Sequence, residues 1–294
     1  MATPISRYRL HSSAFDRPNE EEKIPPKRVI FLSVEGDETE RTYFKHLNSQ
    51  LDNSLLQIEV LRHRRGDGYS DPQYVIELLS EYMDIRQGEL VPPVLLQSLT
   101  SKYTPDELHA YLNDPDKIST AKRKSISEDL LLVGIDVDYR RYLQHYTSTD
   151  YSDDILAVIL DRDCGNHSQE LMEQCVALCS SKGYNCYVTN PCFEFWLLLH
   201  LCDVKSEFTD LEQVELLQNA KISKSNTKTS FEVSKRAHHG KSIGAGAFIK
   251  HYFPNISHAL ARSKQFANDY PDLYNKLGTN LPHLFSILGF SPVE

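Results

Sequence analysis

Nowhere in this chain of 294 residues do the roughly 18 consecutive apolar residues of a membrane-spanning helix occur. Its start, MATPISRYRLHSSAFDRPN, has no apolar core followed by a cleavage site. Both absences lead us to expect a cytoplasmic protein with no membrane partner. The six cysteines (Cys164, Cys175, Cys179, Cys186, Cys192 and Cys202) include no C-x2-C pair of the zinc-ribbon kind, which argues against a metal ribbon or a disulfide framework. Glycine (12) and proline (14) are too few for a fibrous or low-complexity chain. Positive charge is also short: 32 Lys and Arg face 41 Asp and Glu, a net −9, so any nucleic-acid contact must be a local patch on a molecule that repels polyanions. What remains, 40% hydrophobic and 25% charged, is a folded chain with room for one elaborated α/β domain or two smaller ones.

RVIFLSV (28–34) is an unbroken β-branched and aromatic run, the mark of a strand buried on both faces of a parallel sheet, and it ends at Glu35-Gly36. The next segment begins acidic and puts Tyr43, Phe44, Leu47 and Leu51 at helical spacing. Strand, glycine turn and helix open a βαβ unit. LLQIEVLRH (55–63) and a helix bearing Tyr74, Ile76 to Leu79 and Met83 continue the alternation. Residues 85–150 interrupt it with Pro92-Pro93 and a capping box at Thr104 and Glu107; we read a helical insertion and a surface for a partner or trigger. DILAVILDRD then supplies a second fully buried strand ending in Asp161-Arg162-Asp163, and its helix should bury Leu171, Cys175, Leu178 and Cys179. After the strand YNCYVT, Asn190-Pro191 should cap CFEFWLLLHL, a helix broken only by Glu194 and His200. Packing helices follow around Ile256 to Ala267 and Leu281 to Leu288. The organisation expected is a mobile arm at 1–26, an α/β core at 27–202 with its insertion, and a basic segment with C-terminal helices at 203–294.

Ligands of an open parallel sheet bind at its carboxyl edge, where Glu35 and the Asp161/Asp163 pair fall. Two apart, Asp161 and Asp163 project to one side of extended chain while Arg162 points away. Three crowded anions repel unless a hard cation neutralises them, and Mg²⁺ or Mn²⁺ suits oxygen ligands, polarises phosphate and activates water. Glu40 can reach the same edge, and Glu194, an acid on an apolar helix, needs a partner. Each acid has a plainer reading as a solvated turn residue or a helix-start acid favoured by the dipole. Cys164, His167, Cys192 and His200 could bind zinc, though buried thiols explain the cysteines more simply. Between Lys221 and Lys250, seven basic residues face the single acid Glu232, so Lys235, Arg236 and Lys241 are candidates to receive a nucleic-acid backbone, a solvated face being the alternative.

VEGDETERTYF (34–44), VILDRD (158–163), NPCFEFWLLLH (190–200) and the tail ALARSKQF with GTNLPHLFSIL together resemble the RloB family, whose pattern runs EG-x-x-TE-x-x-YF, a D-x-D strand end and an NPCFE-x-W-LLLH helix. That resemblance implies a Toprim-like parallel-sheet core flanked by helices, in a protein of prokaryotic restriction and abortive-infection loci with an ATPase encoded alongside. It implies Glu35 as general base or metal ligand, Asp161 and Asp163 as metal ligands, Glu40 and Glu194 as the family's own acids, and Lys241 as a phosphate-facing lysine. No domain with a topoisomerase tyrosine is evident, so cleavage by metal-activated water is favoured over strand passage. The expectation is a Mg²⁺-dependent nuclease acting on RNA such as tRNA, or on DNA, as the toxic effector of an anti-phage system, with a homodimer as a further candidate assembly. The alternative is a non-catalytic binding or sensor subunit of an ATPase complex.

Overall fold

The computed structural model describes residues 28–36, 38–53, 55–62, 71–145, 154–163, 165–224 and 226–293; the expected arm at 1–26 and Cys164 lie outside them. Its centre is a five-stranded sheet of order β2-β1-β3-β4-β5, built from β1 (Arg28–Val34), β2 (Leu56–Val60), β3 (Ile155–Asp161), β4 (Asn185–Asn190) and β5 (Gly278–Thr279). The first four are parallel, and β5 runs antiparallel to β4. The fold is therefore α/β, with a sheet made mixed by one short edge strand.

Alternation along β1 explains why both faces are covered. Ile30, Leu32 and Val34 turn to one apolar cluster, which also holds Tyr43, Phe44 and Leu47 of α1 (Thr39–Asn48). Val29 and Phe31 turn to another, with Val75, Ile76 and Leu79 of α2 (Pro72–Arg86). The insertion carries α3 (Pro93–Leu99), α4 (Pro105–Asn113), α5 (Thr120–Leu132) and α6 (Val137–His145). It has a third cluster of its own around Tyr103, Tyr111, Ile126 and Leu130. Arg140, paired with Glu81 and donating to the Leu90 carbonyl at 3.1 Å, ties this unit to α2.

Helix α7 (Gln169–Lys182) returns to the second face, but its buried line is Met172, Cys175 and Cys179, and Leu178 is 38% exposed. The apolar stripe is thus rotated from the one its spacing suggests. The helix expected after Asn190-Pro191 is α8 (Phe193–Leu201), buried on nearly every side. Asn190 does not cap it: its side-chain amide donates to the Leu273 carbonyl at 2.7 Å, fastening the end of β4 to the tail. The tail motif has a similar task. Asn280 accepts the Val188 N–H at 2.7 Å and donates to the Cys186 carbonyl at 3.2 Å, so the polar edge of β4 is satisfied by side chain where β5 is too short to do so.

Candidate functional site

Strand order reverses between β1 and β3: the chain leaves β1 for β2 on one side and comes back through β3 on the other. At such a switch point the loops diverge and leave a crevice at the carboxyl edge. A cleft of about 410 Å³ lies there, lined by Glu35, Glu38, Glu40, Asp161, Asp163 and Glu194, with Lys241 as the one basic residue of the lining among the described residues. The structure thus brings together every acid expected from the sequence, and adds Glu38.

Local geometry shows how each is held. Glu35 follows β1 and accepts the Asp161 N–H on Oε2 at 3.0 Å. Asp161 ends β3 and accepts the Phe193 N–H on Oδ1 at 2.8 Å, at the start of α8. Glu40, in the first turn of α1, folds back to accept the Gly36 N–H at 3.1 Å. A Cβ at position 36 would stand 1.8 Å from Glu40 Oε2, so a larger residue there would displace that carboxylate. Glu194 lies 3.5 Å from the Thr39 hydroxyl. The N-termini of α1 and α8 thus both face the cleft, and their dipoles favour its negative charge.

Asp163 arrives differently from expectation. Its φ of 29° takes it out of extended backbone, so the two-residue alternation does not orient it. A turn does, in which Asp163 accepts from the Asn166 amide at 2.6 Å. Arg162 turns away into the fold, donating to the Tyr274 and His167 carbonyls.

The remaining motif residues build rather than react. Tyr43 OH meets His200 Nε2 at 3.1 Å while His200 Nδ1 donates to the Trp196 carbonyl at 2.9 Å. Burial pushes His200 down to about 3, so it is neutral. With both nitrogens engaged it offers zinc nothing. His167, unassigned by the sequence beyond that zinc option, stands beside Glu35 with Nε2 at 3.9 Å from Oε1. Of the basic candidates only Lys241 reaches the cleft. Arg236 is ion-paired to Glu232 and Glu207, and Lys228 to Glu215, so acids from elsewhere in the chain offset part of the basic segment.

Crowding has an electrostatic cost. Burial foremost, with the charges of Glu40 and Asp163 and against the Asp161 N–H bond, pushes Glu35 well above the usual carboxylate range. Burial, then Glu35, Glu40 and Glu194, does the same to Asp161. Burial and Glu194 bring Glu40 up to about 7, with Lys241 opposing. An acid whose pKa is higher folded than unfolded stabilises the fold fully below its unfolded value and loses that contribution as pH rises through the folded one. For Glu40 the window runs from about 4.5 to about 7. Acidifying the metal-free protein from the upper to the lower end of this window is expected to raise its melting temperature relative to that of Glu40→Gln. Thermal unfolding of both across pH checks this; parallel curves would show that Glu40 is not a repelled buried acid.

The donors gathered here are hard carboxylate oxygens, which suit Mg²⁺ or Mn²⁺, and a divalent charge would relieve the repulsion just described. Among the described residues, no three His, Cys, Asp or Glu side chains stand grouped to hold one ion. One oxygen of each of Glu35, Glu40 and Asp161 is engaged by a backbone N–H. The family model for RloB-like proteins matches residues 30–288. The chain belongs to the RloB-like family. No curated protein and no solved structure matches it. The RloB-like match begins in β1 and ends just past the last helix (Leu281–Ile287), so it takes in both strand ends that carry the acids, the insertion and the tail that closes β4.

Proposed function

We propose that this RloB-like protein is a metal-dependent nuclease of the Toprim type, cutting phosphodiester bonds of RNA such as tRNA, or of DNA. It acts as the toxic effector of an anti-phage system and is controlled by a partner ATPase from the same locus. One observation carries the chemistry: six carboxylates and a lysine share a cleft at the switch point of a parallel sheet. The defence role and the ATPase rest on the family resemblance.

Glu35, Asp161, Asp163 and Glu194 would hold Mg²⁺ or Mn²⁺. When bound, the ion supplies a Lewis acid for the phosphoryl oxygen and lowers the pKa of its water. Lys241, exposed at the rim, meets an incoming phosphate. Glu40, buried at the cleft beside these ligands, would serve as the general acid–base group. The Gly36 N–H engages one oxygen, Oε1. The buried Cys192 lines the cleft.

The absence of a ready-grouped triad among the described residues favours one second reading, a non-catalytic subunit that binds the ATPase. The test is to incubate the purified protein, with and without the ATPase, with end-labelled RNA and DNA in Mg²⁺ or EDTA. Chelator-sensitive fragments are expected. Nucleic acid left intact in every arm, with ATPase binding retained, would establish the second reading instead.

A further inference from the structure

Helix α9 (Asp210–Gln218) leads through a hairpin bridged at Lys221–Thr227 into α10 (Lys228–Ala237). One face of α10 is committed to packing: Thr229, Glu232, Val233 and Ala237 are all buried, and Arg236 beside them pairs with Glu232 and Glu207. Its other face begins at the cleft, since Thr227 and Ser230 both line it. Residues four apart lie one above the other on a helix, so Phe231 sits over Thr227, and Lys235 over Phe231, in a stripe leading out of the acidic pocket. Phe231 is 41% exposed, and among the described residues no other phenylalanine is exposed. Lys235, and Lys221 and Lys224 in the adjoining hairpin, are exposed and form no direct ion pair among the described residues, the Lys235 charge being felt at a distance by Glu212.

We propose that this stripe receives an unpaired nucleotide strand, with Phe231 stacking on a base and Lys235 and Lys221 holding the flanking phosphates. The inference rests on the reading of the cleft as a phosphodiester-cutting site and gives it a substrate class. A polyanion approaching six carboxylates needs cations at their border, and unpaired lysines stand at that border. An exposed aromatic ring between lysines is the arrangement that binds single strands irrespective of sequence, because every base has a face to stack. A duplex keeps those faces against one another and has none to offer Phe231. An apolar protein partner would use the ring but leave the lysines without counter-charge.

The probes are labelled oligouridylate and oligothymidylate, and a duplex of equal length, titrated by fluorescence anisotropy with the full chain in Ca²⁺ so that binding is read separately from cutting. The single strands are expected to bind at least about tenfold tighter than the duplex. Phe231→Ala should lose about tenfold, Phe231→Trp should keep affinity, and Lys235→Ala should reduce the slope of log affinity against log salt by about 0.7. Matching melting temperatures confirm that the variants are folded. Equal binding of single strand and duplex, or an unchanged Phe231→Ala, would overturn the track. Cutting in Mg²⁺ is measured in parallel, with and without the partner ATPase. Phe231-dependent binding with no cutting sinks the nuclease reading and supports the track, while cutting that ignores Phe231→Ala does the reverse. If apolar protein partners bind through Phe231 and the oligonucleotides do not, the track is likewise overturned.

Discussion

Replacing Asp161 by Asn is expected to lower phosphodiester cleavage about a thousandfold while leaving the metal-free protein as stable or more so. Removing a single preorganised electrostatic group from an active site costs about 10²–10³ in rate, and Asp161 stands where three other acids feel its charge. Stability moves the other way because the amide keeps an oxygen for the Phe193 N–H but drops a buried anion repelled by Glu35, Glu40 and Glu194. The same change should remove the rise in melting temperature that millimolar Mg²⁺ or Mn²⁺ gives the parent, about 2.7 kcal/mol if the ion is present at a hundred times its dissociation constant. Single-turnover cleavage and thermal unfolding, each with and without metal, measure all three. Full activity in the Asn variant would remove Asp161 from the chemistry.

How far this cleft could be read from the sequence follows from what each residue does. Two strands were legible because burial on both faces leaves an unbroken apolar run, so their ends, and with them Glu35 and Asp161, were fixed in advance. Glu194 stood out as an acid on an apolar helix, and Glu40 as an acid one turn past the first strand's end, within reach of the same edge. Asp163 was located correctly at the strand end but for a reason that fails, since the chain has already left extended geometry there. Part of the charge in the 221–250 stretch is taken up inside the fold, because Glu207 and Glu215, outside the stretch, pair with Arg236 and Lys228 through space. Phe231 carried no signal in a lysine-rich run, because its meaning depends on Thr227 lining the cleft. Strand β5, two residues long, has no periodicity to read.

Gly278→Ala is expected to cost roughly 3 kcal/mol and lower the melting temperature by several degrees, near the upper end of overpacking effects. A Cβ there would fall 1.9 Å from the Ala267 carbonyl oxygen and 2.6 Å from its carbon. Backbone on both sides leaves no flexible end to give way. That carbonyl accepts the Thr279 N–H at 2.9 Å, and the Ala267 N–H donates to the Leu277 carbonyl at 3.0 Å, so displacing it unfastens both sides of the turn. The Thr189–Thr279 hydroxyl contact and the Asn280 clamp on β4 follow. Calorimetric unfolding of the variant checks this; a melting temperature within a degree of the parent's would mean that the turn shifts freely.

Glu35 and Asp161 are joined by a hydrogen bond across 126 residues of sequence, and Glu194 comes later still. Translation therefore delivers the two walls of the cleft at separate times. The growing chain can pair β1 with β2 soon after both emerge, but β1's other edge waits for β3 until the whole insertion, with its own core, has been made. Until β3 is out Glu35 lacks Asp161, and until residue 194 is out the cleft lacks Glu194. Any fragment cut short before that point therefore lacks part of the carboxylate set, so the order of synthesis completes the cleft late.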